Sequence, residues 1–198
     1  MIQVMTELDA VNEMLMSIGQ APVNTLAVTG IQDVNIAKAE LTKVSRRVQS
    51  RGWNWNTDDN YTLNPDVDGA ILIPEGALKV DASDTGSNLV QRRHPTKNAM
   101  ALYDRDNQTF TFTAPVAVQI IWGFAFEDMP ETARTYIATS AGRKFQSRVV
   151  GSQILDRYQQ EDEQVAWVLL DREERASRDT NLFRTGPASI VGFGSRQY

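Results

Sequence analysis

Apolar residues recur at three- and four-residue spacing in four stretches of the chain, and alternate with polar ones in the region between the second and third. In the first stretch Leu8, Val11, Leu15 and Ile18 form one stripe on a helix. Thr6 is placed to cap its start, Glu7 and Asp9 put negative charge in the first turn, and Gly19 followed by Pro22 ends it. Val34, Ala37, Leu41, Val44 and Val48 predict a second helix that packs on the first. It should close at Gln49–Asn56, with Gly52 as the cap. Trp53 and Trp55 would then open an extended segment, share a face, and pin the following region onto the helices.

From Asn60 onward the period is that of strands. Short β-prone runs at 60–63, 70–73, 77–81, 89–93, 99–103, 109–113 and 116–124 are separated by turn residues such as Asn64-Pro65-Asp66, Pro74-Glu75-Gly76 and Asp84-Thr85-Gly86. In the last run Val116, Val118, Ile120 and Trp122 alternate with Ala117, Gln119 and Ile121, as in a strand with one face on a core. The result is a mostly antiparallel β region that needs helices to pack against.

Helical spacing returns near Asp128. Pro130 and Glu131 suit a first turn, and Ala133, Ile137, Ala141, Phe145 and Val149 form the third stripe. After a break at Gly151 and Ser152, a fourth helix carries Leu155, Tyr158, Val165, Val168 and Leu169 and is expected to end near Ala176. The expected architecture is α+β: a discontinuous four-helix domain from residues 1–52 and 128–177, an inserted β domain at 53–127, and an extended C-terminal tail at 178–198. That tail, rich in glycine and without a sustained period, is expected to be mobile or to dock onto a partner.

The chain has 198 residues, 41% hydrophobic and 23% charged, as in an ordinary globular protein. The absence of cysteine rules out disulfides and thiolate metal sites. A start without a basic n-region gives no expectation of secretion. A net charge of −5 speaks against nucleic-acid backbone binding as the main task. Its basic clusters, Arg143, Lys144 and Arg148 among them, read either as solvated faces or as contacts to acidic neighbours in an assembly. On the fourth helix Asp156, Glu161, Asp162 and Glu163 form an acidic group that reads first as a solvated helix face.

Little of the chain suggests catalysis. His94 is the only histidine and sits in a loop before Pro95, with no nucleophile motif nearby. Asp104, Asp106 and Gln108 imitate the start of a calcium loop, but Thr109 stands where glycine is needed and Pro115 where the bidentate glutamate belongs. Asp58 and Asp59 are candidates for a glycan or peptidoglycan hydrolase cleft, although adjacent carboxylates on a turn do not supply the separation that hydrolysis requires. No cofactor is expected.

The series AVNxxLxSIGxxPVxTL (Ala10–Leu26), QSRGWxxN (Gln49–Asn56), TLxPD (Thr62–Asp66) and MPE (Met129–Glu131) resembles the tail tubular protein A family, head-to-tail adaptors of short-tailed, T7-like bacteriophages. The resemblance covers most of residues 8–150. It implies a structural virion protein, assembled in the host cytoplasm, forming a twelve-subunit ring. That ring would join the portal to the tail nozzle (tail tubular protein B), support tail fibres, and pass DNA through its bore during ejection. Candidate interaction residues are Trp53, Trp55, Arg143, Lys144, Arg148, Phe183, Arg184, Phe193, Arg196 and Tyr198; Asp156, Glu161, Asp162 and Glu163, repeated around such a ring and facing its channel, would repel DNA. A tail-associated hydrolase using Asp58 and Asp59 is the alternative.

Overall fold

The computed structural model describes residues 3–27, 30–83 and 88–185, with side chains described as far as Arg178. Its helices are α1 (Glu7–Ser17), α2 (Gln32–Gln49), α3 (Glu131–Val149) and α4 (Gln153–Thr185), and a 3-10 turn spans Phe126–Asp128. The strands are β1 (Thr57–Leu63), β2 (Ala77–Ala82), β3 (Leu89–Arg93), β4 (Met100–Asp104) and β5 (Val116–Trp122). The fold is α+β, with antiparallel strand pairing throughout the described sheets.

Local chemistry sets the helix ends. The Thr6 hydroxyl accepts from the Asp9 amide at 3.1 Å, and the Asp9 carboxylate accepts from the Thr6 amide at 2.9 Å, closing a reciprocal capping box. At the other end Gly19 adopts a φ of +80°, and the Gln20 amide reaches back to the Leu15 carbonyl. The loop that follows is tied to α1 by Asn12, whose amide both donates to the Val23 carbonyl (2.9 Å) and accepts from the Val23 amide (2.8 Å). Helix α3 is central, because α1, α2 and α4 all pack on it. All five stripe residues of α2 are buried there with Val11, Met14, Leu15, Ile137, Ala141 and Phe145. On α1 the buried face turns from Leu8 towards Ala10 and Met14. On α3, Val149 is exposed, since the helix end projects past the core.

The strands form a three-stranded sheet in the order β1-β5-β2 and a separate β3-β4 hairpin. Leu63, Ile71, Val80, Leu102, Val118 and Ile120 make a second apolar cluster. Two of the expected strands, 70–73 and 109–113, make only isolated bridges at Ala70, Leu72, Thr109 and Thr111. A left-handed residue at Gln108 and a proline at position 115, which has no amide proton, flank the second of them and keep it short. Both faces of β5 are used: Val118 and Ile120 face the β cluster, whereas Ile121 lies against Gly52. A strand with one face on a core was expected; Ile121, on the other face, is buried as well, against the turn that follows α2.

Candidate assembly interfaces

The chain leaves the helical layer after α2 and re-enters it after β5, and two buried side-chain amides staple these crossings together. The Gln49 side chain accepts from the Phe124 amide (2.7 Å) and donates to the Phe124 carbonyl (3.0 Å). Asn56 donates to the carbonyls of Gln49 (3.0 Å) and Trp122 (2.7 Å), and accepts from the Trp53 amide (2.8 Å). Between them Gly52 holds a φ of +77°, and a β-carbon there would lie 2.8 Å from Ile121 Cδ1. The run QSRGWNWN is therefore the joint of the molecule.

Trp53 and Trp55 do not open an extended segment as the sequence suggested. They lie in a turn, and their side chains join the helical core rather than spanning two layers on one face of a strand. Four backbone and side-chain bonds to Asn56 and Gln49 hold the chain in that turn, overriding the β propensity of the indoles. Trp53 is buried, donates from Nε1 to the Val48 carbonyl, and meets Trp167 of α4 edge-on at 5.7 Å. Tyr136 flanks Trp167 at 5.1 Å, and the Arg51 guanidinium lies over both indoles, 4.6 Å from Trp167 and 5.0 Å from Trp53. Further along, the Glu174 carboxylate accepts from the Asn54 amide and from Arg178. Trp167, Leu170 and Glu174 thus seat α4 on the rest of the molecule.

Nearer the start of α4, an open groove of about 440 Å³ runs over α3 between α2 and α4. It gathers Arg47, Arg143, Lys144 and Arg148 together with Asp156 and Glu163. Arg143 bonds Asp156 (2.8 Å) and Glu163 (2.9 Å), which raises its pKa further; the same Arg143 bond lowers that of Asp156. Arg148 pairs with Glu40, a carboxylate buried on α2. Lys144 makes no ion pair among the described residues, and burial, then the neighbouring Arg47, pushes its pKa down. The basic trio proposed from sequence is brought together, and two of the four acidic candidates pair with one member of it, Arg143. Asp156, Glu161, Asp162 and Glu163 therefore do not make one acidic surface: Asp156 and Glu163 turn inward to Arg143, while Glu161 and Asp162 are exposed.

The largest departure from expectation concerns the α4 stripe. Leu155, Tyr158, Val165, Val168 and Leu169 all point away from the core, and Ile154 extends the same face. Ile154 is 72% exposed, Tyr158 65% and Val165 62%. The residues that bury α4 against α3 are instead Ala166, Leu170 and Glu174, with Trp167 half-buried. Periodicity found the stripe, but it carries no information about what covers it. Helix α4 also continues to Thr185 instead of ending near Ala176, so Phe183 and Arg184 belong to the helix. Their side chains, and residues Phe193, Arg196 and Tyr198, lie outside the described residues.

The catalytic candidates separate. Asp58 and Asp59 lie within strand β1 rather than on a turn, so their side chains point to opposite faces. Asp58 accepts from Trp122 Nε1 and Asp59 from Gln119, each at 2.7 Å. His94 packs edge-on against Phe110 at 4.9 Å, and its Nδ1 faces the Thr96 and Lys97 amides, closing a loop. The Asp104 carboxylate accepts from the amides of Asp106 and Asn107, which is a turn. Among the described residues no cluster of acidic or histidine side chains is placed to hold a metal ion, and no helix is long and apolar enough to cross a membrane. The residues missed from sequence are Gln49, Asn56 and Glu40, while Arg51 reads from sequence only as part of a basic cluster with Arg46 and Arg47. The buried joint had a signal in the Gln and Asn that bracket a helix-capping glycine.

Residues 8–180 match the family model for tail tubular proteins. Over 175 residues the chain is 28% identical to tail tubular protein A of Klebsiella phage KP34, covering 88% of this chain and 90% of that protein. The match spans most of the chain, so the chain belongs to the tail tubular protein family and is a structural component of a phage tail.

Proposed function

We propose that this tail protein is a head-to-tail adaptor: a ring, expected to hold twelve copies, between the portal and the tail nozzle protein (tail tubular protein B). Tail fibres attach to it, and DNA passes through its bore without specific binding during ejection. The observation that carries the proposal is the outward face of α4, where six large apolar side chains are exposed on a helix whose opposite face already packs on α3. A helix apolar on two opposite faces is covered on two sides in its working state. The helical domain (residues 1–52 and 128–177) supplies the contacts within the ring. The β domain (53–127) projects towards nozzle or fibre, and the C-terminal segment from 178 onward, with Phe193, Arg196 and Tyr198, contacts the portal or an adjacent subunit. A net charge of −5 in each copy keeps the bore from holding DNA. Assembly takes place in the host cytoplasm and the finished ring resides in the virion tail.

Light scattering tests this on the chain alone and mixed with portal and nozzle proteins. A ring, or a monomer that enters a large complex when portal is added, is the expected result. A monomer indifferent to both partners overturns it.

A further inference from the structure

The outward faces of α2 and α4 have complementary shapes and charges. On α4 the apolar residues Ile154, Leu155, Tyr158, Val165, Val168 and Leu169 are interrupted midway by Glu161 and Asp162, both exposed and free of the Arg143 network. That apolar face presents on the order of 600 Å², at the upper end of what a lone chain leaves uncovered and near the ~800 Å² each partner contributes to a stable contact. On α2 the exposed positions Asn35, Ala39 and Thr42 are spaced by four and three, so small side chains form a shallow track along the helix. Lys38, Lys43 and Arg46 border that track, and all three are exposed. Each of α2 and α4 packs on α3 through its opposite, buried side, so both of these faces are turned away from α3.

We propose that the outward face of α4 docks onto the outward face of α2 of a second copy of this chain. Val165 and Leu169 seat in the Ala39–Thr42 track, and Glu161 and Asp162 meet Lys38, Lys43 and Arg46 of the neighbour. The stems of those lysines and of Arg46 cover the remaining apolar surface. An α4-to-α4 dimer is disfavoured, since antiparallel pairing about the middle of the stripe sets Glu161 and Asp162 against their own copies. The contact is therefore head-to-tail, the type that propagates from copy to copy and closes into a ring. This inference rests on the ring proposed above and adds the surfaces that form it.

The natural absence of cysteine makes the contact testable by cross-linking without background. A chain carrying both Ala39→Cys and Val165→Cys is oxidised, as isolated full-length protein and within assembled phage particles. Single-cysteine chains serve as controls. Head-to-tail docking gives a ladder of covalent oligomers from the double variant only, because each single variant places no two cysteines within the ~4.4–6.8 Å Cα separation of a disulfide. Reversing Glu161 and Asp162 to lysine should slow cross-linking roughly tenfold, and adding Lys38→Glu and Lys43→Glu should restore it. Dimers from Val165→Cys alone would overturn the proposal in favour of α4 pairing with itself. A double variant that stays monomeric on gels from both preparations overturns it too, and assigns the α4 face to another tail protein. Copy number per particle, measured in parallel, separates the two failures. Many copies without a ladder leave the ring standing and reject this interface, whereas a single copy rejects the ring itself.

Discussion

Replacing Asn56 by alanine removes the side chain that ties both chain crossings together. Its loss leaves the Trp53 amide, bonded at 2.8 Å to Asn56 Oδ1, without that acceptor in a buried turn. The carbonyl of Gln49 retains the Gly52 amide as a partner, so its loss is the smaller one. The Trp122 carbonyl loses a 2.7 Å bond. An orphaned buried donor costs about 1–3 kcal/mol, and each weakened carbonyl about 0.5–1.5 kcal/mol, so the variant should lose roughly 3 kcal/mol. For a chain of this size that is about 6–12 °C in Tm. Urea unfolding followed by tryptophan fluorescence reads it directly, with Trp53 as a reporter inside the joint. Asn56→Asp keeps the acceptor for Trp53 but forfeits both donations and buries a charge, so it should be no more stable than the alanine variant. Because Gln49 staples the same crossings, Gln49→Ala and Asn56→Ala should be non-additive in a double-mutant cycle. A loss under about 1 kcal/mol at an unchanged urea dependence would refute the staple, since it would mean the backbone alone fixes the turn.

Other substitutions probe single terms. Gly52→Ala combines a left-handed backbone with a β-carbon 2.8 Å from Ile121 Cδ1, and should cost about 1–3 kcal/mol by thermal melt; an unchanged melt would show that Ile121 moves aside freely. Gln146 is fully buried on α3 with neither side-chain atom hydrogen-bonded. Gln146→Leu should therefore stabilise the chain by about 1 kcal/mol in urea unfolding; destabilisation would reveal a bound water bridging the amide. The Asp156 pKa is held below its ordinary value by Arg143, so its contribution is present above the unfolded carboxylate range and is lost as pH falls through the lowered folded value. Asp156→Asn should flatten the acid limb of the stability–pH profile and leave the neutral and alkaline limbs parallel to the parent; an unaltered acid limb would show that the ion pair is screened away.

The sequence by itself determined the elements whose signals are local. The Thr6 cap, the left-handed Gly19 and the α2 stripe follow from hydrogen-bonding reach, backbone freedom and 3.6-residue spacing, none of which requires a distant partner. Strands β2, β3 and β5 were legible for the same reason, through turn residues and alternation. Tertiary structure decided everything that depends on what lies opposite. Trp53 and Trp55 turned into the helical layer because Asn56 and Gln49, placed by α2 and β5, hold the turn that carries them. Asp156 and Glu163 parted from Glu161 and Asp162 because Arg143 of α3 faces only one side of α4. The α4 stripe was real as a pattern and wrong as a core, because spacing records that a face is apolar but not which molecule covers it. For a protein made to be assembled, that difference separates its fold from its function.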